Sequence, residues 1–475
     1  MKDTNEVNKS LLMQGDLEGL NKSLPTQGGL EGLFFELLQV AIGNRKELTR
    51  QLSDDEWASL YSECEKHALL GITFCGVERL PKEQFPPFDV AAEWVHDAQM
   101  AKERNEKLNA ECEALAKQLE HDGLWSCILK GQSNLVNYPE HLRDCRTAGD
   151  IDVWCAPIKK QDKGERKVIE YALSRAKAAN QPVPEVRYHH VELENVYPVD
   201  VEIHHRPSFM CSPLRNIRLR NWCRTFEGAN EIASINGHEF PVPSVSFNAV
   251  YQLVHIYRHL FDEGIGLRQI LDYYFVLQAL SVPLHRGKCE EVRDERLEVG
   301  RPPQSPCVGG EVRAQSGEVI DERLEVRRPP QSPCVGGEVS VEGLEVSGER
   351  IGSLSTGEGG GRGRVMNIIE RLGMKKFAGA IMYVLQKVFA MPDEYLICKP
   401  NEKVGAFVLS EILVGGNFGR ADSRFAKAKD GVLAHAFGKT LHNLMFLRYF
   451  PEEVSWEPIF RLYHWGWRKC EFWKV

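Results

Sequence analysis

The period of the hydrophobic pattern changes along the chain and predicts helices on either side of a short region of strands. Apolar residues recur at helical spacing through residues 34–80. Residues 89–120 are rich in Ala, Glu, Lys and Leu, which predicts one long helix. Residues 124–129 form instead a short apolar run typical of a buried strand. We therefore expect the long helix to lead directly into the first strand of a sheet.

A second strand is predicted at residues 150–153, where acidic and aliphatic residues alternate. Because side chains alternate between the faces of a strand, Asp150 and Asp152 project to one side while the aliphatic pair enters the core. Two neighbouring carboxylates repel each other unless a cation lies between them, and a hard divalent cation is the common solution. The alternative is a solvated acidic strand face, since the Asp-x-Asp pattern is frequent by chance.

A third acid comes from residues 196–204, which also alternate strictly. Asp200, Glu202 and His204 fall on one face of this predicted strand, and the aliphatic residues fall on the other. A strand placed beside that of Asp152 would assemble three carboxylates, the set needed for two cations in phosphoryl-type transfer. We take Glu202 as the third acid and Asp200 as its substitute.

A positively charged turn, Lys130-Gly131, ends the first predicted strand. If a helix begins near Ser133, its free backbone N–H groups and positive dipole end point at whatever lies over the turn, and Lys130 adds a full charge. That arrangement suits a triphosphate. The alternative is that Gly131 only makes a turn.

Taken in chain order, the Lys-Gly turn, the Asp150 and Asp152 pair and the strand of Glu202 resemble motifs of the uncharacterised nucleotidyltransferase family of the DNA polymerase beta superfamily. The resemblance continues through the predicted helices downstream, which are similar to those of bacterial members of the family. It covers most of residues 35–285 and 365–475. The motifs that carry it lie at residues 129–131 (Leu-Lys-Gly), 138–139 (Tyr-Pro), 143 (Arg), 149–152 (Gly-Asp-Ile-Asp), 201–204 (Val-Glu-Ile-His), 255–259, 266–272 and 372–419.

The resemblance implies both a fold and a reaction. The fold is α+β, with a small mixed sheet wrapped by N- and C-terminal helices. The reaction is the Mg²⁺-dependent transfer of a nucleoside monophosphate from an NTP to an acceptor. Asp150 and Asp152 match the metal-binding pair of the superfamily and Glu202 matches its third acid, so these three would hold two Mg²⁺ ions. Lys130 and Gly131 match the family's Lys-Gly turn and would bind the triphosphate.

The turn and the segment after it depart from the wider superfamily. That superfamily has Gly-Ser or Gly-Gly at the turn, whereas Gln132 here precedes Ser133, which we include among the nucleotide contacts. The segment between Gly131 and Asp150 is longer than the corresponding segment of that superfamily, which leaves room for Arg143 and Arg146 to approach the site. Because a guanidinium fork matches phosphate oxygens, Arg143 is a further predicted nucleotide-binding residue. A structural salt bridge is the alternative for both arginines.

Composition narrows the cellular setting and the partners. The net charge of −8 argues against a large non-specific DNA surface, because duplex binders display a basic stripe. The 13 cysteines include no Cys-x-x-Cys pair, which favours reduced thiols in a cytoplasm over a disulfide framework or a zinc site. The sequence shows neither a signal pattern nor an apolar run long enough to span a membrane, so we expect a cytoplasmic protein without a membrane partner.

The chain divides where its composition changes. Residues 286–364 are dominated by Pro, Gly, Ser and charge, and contain a duplication with a 27-residue step that begins at Asp294 and again at Asp321. Such a segment cannot bury enough apolar surface to offset its ordering entropy, which predicts a disordered insertion. The remaining units are a duplicated leader at 1–33, a helical region at 34–123, a nucleotidyltransferase core at 124–243, and a C-terminal helical region at 244–285 and 365–475.

Three pairs of polar residues leave a functional and a structural interpretation open. The pairs are His189 and His190, His255 and His259, and Arg268 and Asp272. The first pair precedes the Glu202 strand and could contact phosphate or be structural. The second stands four apart on a predicted helix and could bind zinc, or lie in the core or face the site. The third could face the cleft or form a helix salt bridge.

The acceptor is left open by the sequence and could be a small molecule, a protein or RNA. Two other functions fit the same residues. One is a catalytically silent nucleotide-binding or scaffold protein that keeps the fold for interaction. The other is a toxin-like enzyme that modifies tRNA or protein. Since all three acids are present, the sequence does not force the loss of metal binding.

Overall fold

The computed structural model describes residues 29–159, 164–281, 361–422 and 442–472, together with residues 438 and 440. The predicted leader lies outside the described residues except for 29–33. The predicted insertion with its duplication also lies outside them, except that a helix begins at Gly361, inside the stretch assigned to the insertion. In the described ranges, no helix is long and apolar enough to cross a membrane.

Helices account for most of the described chain. Short 3₁₀ turns connect some of them, at Lys82–Gln84, Leu135–Asn137, Asp393–Tyr395 and Asn417–Gly419. The α-helices with described bounds are α1 (Leu30–Ala41), α2 (Asp54–Lys66), α3 (Leu70–Val77), α4 (Phe88–His121), α5 (Gly131–Asn134), α6 (Glu140–Arg143), α7 (Gly164–Ala178), α8 (Pro213–Arg224), α9 (Val245–Asp262), α10 (Leu267–Ser281), α11 (Gly361–Arg371), α12 (Lys375–Phe389), α13 (Glu402–Gly415) and α14 (Pro451–Phe472).

The long helix predicted at residues 89–120 is confirmed as α4, which spans 34 residues. Its buried side chains recur every three or four positions and include Leu108, Cys112 and Leu115. Gly123 then turns the chain with a φ of +83°, a conformation that favours glycine, and the first strand begins at the next residue. The expected passage from long helix to buried strand is therefore confirmed.

In the described residues, six short strands form two β-sheets. The strands are β1 (Leu124–Leu129), β2 (Ile151–Pro157), β3 (His190–Leu193), β4 (Val201–His204), β5 (Glu231–Ile235) and β6 (His238–Val242). The main sheet has the order β1-β2-β4-β3, in which β2 and β4 run parallel and the outer pairs are antiparallel. Strands β5 and β6 form a separate antiparallel pair. A small mixed sheet among many helices confirms the predicted α+β class.

Hydrophobic packing joins the sheet to helices on both of its faces. One core cluster contains Leu108 of α4 with Val153 of β2, Ile203 of β4 and Ile169 of α7. A larger cluster unites the N-terminal helices with α9 to α13 and includes Trp154 of β2. The acidic strands are thus held between two apolar layers, and burial of those layers is the main stabilising contribution.

A close contact between two turns shapes the region beside the main sheet. The turn between α9 and α10 packs on the Asn417–Gly419 turn so tightly that a Cβ on Gly266 would lie 2.9 Å from the Asn417 Cα. Gly264 has a φ of +87° and approaches Gly419 equally closely. These glycines let the two backbones meet and bring Phe418 next to α9 and α10.

Candidate active site

One face of the main sheet carries a row of three carboxylates. Asp152 lies opposite Glu202 on the parallel neighbour, and Glu202 lies opposite Glu192 on the outer strand β3. Two positions along, His204 lies opposite His190 on the same face. The sequence pattern predicted Asp152 and Glu202 as site residues but not Glu192. Its signal was the alternation of His190-Val191-Glu192-Leu193, the same pattern that identified the other acids.

The two predicted acids of the central strands come within reach of a single cation. His204 Nε2 lies 2.9 Å from Asp152 Oδ1 and 3.1 Å from Glu202 Oε2. The potential ligand atoms of Asp152, Glu202 and His204 all lie within 4.8 Å of one another. Acid groups more than about 8 Å apart could not share a two-metal site. The spacing found here is compatible with such a site.

The charges around Glu202 favour its ionised form. Burial opposes ionisation of Glu202, but His204 and Lys130 outweigh it and hold the pKa of this carboxyl well below its usual value. Lys130 Nζ lies 2.6 Å from Asp152 Oδ1. Burial disfavours the ammonium, yet the carboxylates around it, foremost Asp152, raise the pKa of Lys130. The site therefore holds a charged lysine against its acidic row.

Lys130 reaches Asp152 from a strained backbone. It follows β1 with a φ of +50° and a ψ of −156°, a conformation that costs a non-glycine residue on the order of 1–3 kcal/mol. The preceding residue, Leu129, pairs with Asp152 on the neighbouring strand, so the strained turn begins beside Asp152. Such strain persists where the surrounding structure holds the residue in place.

Asp150 lies immediately before β2, whereas the sequence pattern had placed it within that strand. The Ile151 N–H donates to the Asp200 carbonyl, which starts the parallel pairing one residue later. Asp150 lines the same cavity as Lys130 and Glu202. Burial, followed by the charge of Asp152, raises the pKa of Asp150 to about 7. A carboxyl that is held partly protonated by its neighbours is one that a divalent cation would ionise.

His190 on the outer strand β3 adds an imidazole to the potential metal ligands. His190 Nδ1 lies 3.3 Å from Glu202 Oε2, and its Nε2 lies 3.2 Å from Glu192 Oε1. These three residues form a second group whose potential ligand atoms are within 4.8 Å of one another. His189 contacts His190, with Nε2 3.1 Å from His190 Nδ1. The residues present fit a divalent cation, since carboxylate oxygens from β2 and β4 converge with imidazoles beside them.

The remaining predicted nucleotide contacts lie around the turn, outside the cavity lining. The helix expected near Ser133 begins at Gly131 and spans four residues. The Ser133 hydroxyl donates to the Lys130 carbonyl at 2.8 Å. Arg143 Nε donates to the Tyr138 carbonyl at 3.1 Å. Gly131, Ser133 and Arg143 are not among the cavity-lining residues of the described structure, and their contact with a nucleotide stays a prediction.

A cavity of about 1240 Å³ separates the acidic face from α9 and α10. Drug-sized ligands occupy pockets of roughly 300–1000 Å³, so the cavity has room for a nucleotide and part of an acceptor. On the helical side it is lined by Arg258 and Arg268, with the rings of Phe209 and Phe418 beside them. Arg258 and Arg268 thus lie across the cavity from the carboxylates of the sheet, on a wall that also carries Asp262 and Glu263.

Arg268 is the more buried of these two cations, with 8% of its surface exposed. One of its terminal nitrogens donates to the Thr147 carbonyl at 2.8 Å, while its buried Nε has no hydrogen-bond partner among the described residues. Burial, aided by the charge of Arg146, lowers the pKa of Arg268 to about 10. An anion in the cavity would offset the unfavourable burial of this charge.

Of the two interpretations left open for Arg268 and Asp272, the helix salt bridge is not the one that forms. Asp272 pairs instead with Arg146, through two hydrogen bonds of 2.7 and 2.8 Å, and accepts a third from the Tyr138 hydroxyl at 2.7 Å. The bidentate geometry of a buried guanidinium and carboxylate outcompetes an intrahelical pair. Arg146 is thereby held in a structural ion pair, the alternative that the sequence had left open.

The loop that ends at Asp150 is fixed by donors from the long helix as well. The Asn105 side chain donates to the carbonyls of Asp144 and Arg146, at 2.9 and 2.7 Å. Arg104 donates to the Gly149 carbonyl at 2.8 Å. We call residues 144–149 the approach loop. Because its carbonyls are held at several points, Asp150 enters the site from a fixed direction.

The zinc interpretation of His255 and His259 finds no support in the geometry. Both are buried on α9 with ring centroids 4.3 Å apart, and His259 Nδ1 lies 3.4 Å from Glu263. Within the part of the chain that the structure describes, they belong to no group of three potential ligands within 4.8 Å. His259 lines the cavity and His255 lies in the helical packing.

Similarities to known proteins are found for a protein family and for a solved structure. Among solved structures, the chain is similar to an antigenic nucleotidyltransferase-like protein from Paracoccidioides brasiliensis, with 13% identity over 37% of this chain and 77% of that chain, and a TM-score of 0.24. No curated protein matches. The profile of a protein family described as uncharacterised nucleotidyltransferase matches residues 53–295, just over half of the 475 residues. The chain belongs to this uncharacterised nucleotidyltransferase family.

Proposed function

We propose that this protein is a Mg²⁺-dependent nucleotidyltransferase that transfers a nucleoside monophosphate from an NTP to an acceptor hydroxyl and releases pyrophosphate. Its family supports a transferase that uses NTPs. The observation that carries the proposal is the register of Asp152 and Glu202 on parallel strands, with ligand atoms within 4.8 Å and Lys130 and Asp150 beside them. A three-acid site next to a positive charge is what two-metal transfer requires.

The three acids would bind different cations according to their positions. Asp150 and Asp152 would bind both cations, and Glu202 would bind the cation on the nucleophile side. Bound Mg²⁺ would supply positive charge that polarises the α-phosphate and stabilises the attacking and leaving oxygens. His204 lies within hydrogen-bonding distance of both Asp152 and Glu202, so it would keep the two carboxylates oriented toward the same point.

The phosphates would lie between the acidic face and the helical wall. Lys130 would neutralise the triphosphate from the sheet side. Arg268, with its unmet donor, and Arg258, which stacks on Phe209 with 5.3 Å between the guanidinium carbon and the ring centroid, would neutralise it from the helical side. This role for the two arginines adds to the nucleotide contacts that the sequence predicts at the turn. It rests on their place in the cavity lining.

The proposal is tested by calorimetric titration of ATP, GTP, CTP and UTP into the full-length protein with Mg²⁺. We expect at least one NTP to bind the wild type, and binding to weaken at least tenfold in Asp152→Asn, which keeps the shape of the side chain but removes the negative charge that attracts the cation. Glu202→Gln provides a second variant. Glu231→Gln, an exposed acid on β5, is the matched control and should bind like the wild type.

Two outcomes of this titration would count against the proposal: equal binding by wild type and both site variants, or binding of none of the four NTPs by the wild type. NTP binding without any transfer would instead support the catalytically silent protein. Growth arrest on expression, relieved by Asp152→Asn, would support the toxin-like enzyme. Both alternatives keep the nucleotide site and differ only in the step after binding.

A further inference from the structure

Two cysteines meet on the outside of the approach loop. Cys75 Sγ on α3 lies 2.8 Å from Cys145 Sγ, although 70 positions separate the two in the sequence. Both sulfurs also lie near the His141 carbonyl oxygen, at 3.9 and 3.7 Å. The two thiols are free in the structure. Their sulfur atoms are closer than an ordinary van der Waals contact between two sulfurs, so little movement separates them from a bond.

The backbones on either side are held together independently of the sulfurs. Gly71 lies one helical turn before Cys75, on the same face of α3. A Cβ at Gly71 would lie 2.2 Å from the Cys145 carbonyl oxygen, so only glycine allows this approach. The approach loop is also fixed by Asn105, as described above. Closing a bond between the sulfurs would therefore require side-chain adjustment and no large backbone movement.

The two thiols differ in environment. Cys75 is buried, with 7% of its surface exposed, while Cys145 is half-buried. The hydrogen bond from the Cys75 thiol lowers the pKa of Cys145, and the same contact with burial raises the pKa of Cys75. The more accessible sulfur is thus the better nucleophile, and the buried one is the partner that can attack it afterwards.

We propose that Cys75 and Cys145 are a site of reversible disulfide formation that ties α3 to the approach loop in the presence of a peroxide. The Cys145 thiolate attacks a peroxide oxygen, the O–O bond breaks, and the departing hydroxide takes up a proton to become water. The Cys75 sulfur then gives up its proton and attacks the sulfenic acid of Cys145, whose S–O bond breaks to release a second water. Two thiols are oxidised by two electrons in all, and hydrogen peroxide is reduced to two waters.

The disulfide would restrain the approach loop, which directly precedes Asp150. The approach loop ends at Gly149, so a covalent tie at Cys145 restricts the chain within five residues of that carboxylate. A bond across 70 positions also removes much of the freedom of the unfolded chain, which stabilises the folded state. The inference does not depend on the proposed nucleotidyl transfer, because it requires only the two sulfurs and an oxidant.

The test treats reduced, full-length protein with hydrogen peroxide, alkylates the remaining thiols, and maps peptides by mass spectrometry without reduction. We expect a cross-linked peptide pair containing Cys75 and Cys145, which dithiothreitol reverses. The melting temperature of the oxidised protein should rise by about 3–6 °C, as expected for a loop of this length in a chain of this size. Amide hydrogen exchange in residues 144–149 should slow.

The variants separate this site from the other thiols. Cys145→Ser and Cys75→Ser should lose the cross-link and the rise in melting temperature. Cys398→Ser, which removes another half-buried thiol, should keep both. Independent alkylation of Cys75 and Cys145 after peroxide treatment would overturn the inference. So would a cross-link of either cysteine to a third one, or overoxidation of Cys145 without a cross-link.

Discussion

At the scale of single residues, the polar groups near the site differ in whether their hydrogen bonds are already made within the protein. Asp272 accepts hydrogen bonds from Arg146 and Tyr138. The charges of Arg146 and Asp272 therefore pair with each other and fix the approach loop. Arg268, four positions before Asp272, keeps a buried donor without a partner among the described residues and lines the cavity. Two buried arginines that look alike in sequence thus have different roles.

Arg268→Gln should weaken NTP binding by about 10–100-fold, the loss expected when one hydrogen bond to a charged phosphate is removed. Binding of Mg²⁺ alone should change little, because Arg268 is not a cation ligand. The measurement is calorimetric titration of each ligand separately, and Arg364→Gln, an exposed arginine on α11, is the control. Unchanged NTP affinity in Arg268→Gln would show that this guanidinium does not contact the phosphates.

At the scale of elements, α7 is joined to β4 and α8 by a single acid. Glu165, in the first turn of α7, accepts from Arg206 Nε at 2.8 Å and from Arg220 at 2.9 Å. Arg206 follows β4 by two residues and also stacks on Tyr188, with 4.4 Å from the guanidinium carbon to the ring centroid. The position of β4, and with it Glu202, is therefore supported from outside the sheet.

Glu165→Gln should lower the free energy of unfolding at pH 7 by about 1–2 kcal/mol, after allowance for solvent screening of a partly exposed pair. Although burial opposes it, pairing with Arg206 and Arg220 lowers the pKa of Glu165 to about 2, against 4.5 for the free side chain. The stabilisation is present above pH 4.5 and is lost as the pH falls toward 2. Urea unfolding at several pH values measures this.

The difference in stability between wild type and Glu165→Gln should shrink across that acidic range. Glu170→Gln, which removes an exposed acid of the same helix, should change stability by less than about 0.5 kcal/mol. A constant difference between wild type and Glu165→Gln from pH 7 down to pH 2 would mean that the ion pairs of Glu165 contribute nothing.

Local pattern was sufficient to predict some elements and insufficient for others. The period of the apolar residues identified α4 and β1, and alternation identified β2 and β4, because these signals depend on neighbours in sequence. Strand β3 alternates as well, but its pattern did not single out Glu192, because this acid joins the site only through its register with Glu202. Likewise, the partner of Asp272 lies 126 positions away, a pairing that no local pattern specifies.

At the scale of the whole molecule, the described chain places an acidic sheet face opposite a helical wall that includes Arg258 and Arg268, across a cavity of about 1240 Å³. The helices that supply Arg258 and Arg268 come after the sheet in sequence, and the turn at Gly264 and Gly266 brings Phe418 to the same cavity. The sequence predicted a small mixed sheet wrapped by helices. It could not predict the wall's cations, since their position depends on how α9 and α10 pack.

The central claim is that the α-phosphate group of an NTP is transferred to an acceptor, and the position of a radiolabel tests it most directly. The full-length protein is incubated with Mg²⁺, cell extract as the source of acceptors, and the preferred NTP labelled at either the α- or the γ-phosphate. We predict that an acceptor becomes labelled from the α-labelled NTP only, and that Asp152→Asn abolishes the labelling while Glu231→Gln retains it. Labelling from the γ-phosphate, or labelling that survives in Asp152→Asn, would contradict the account.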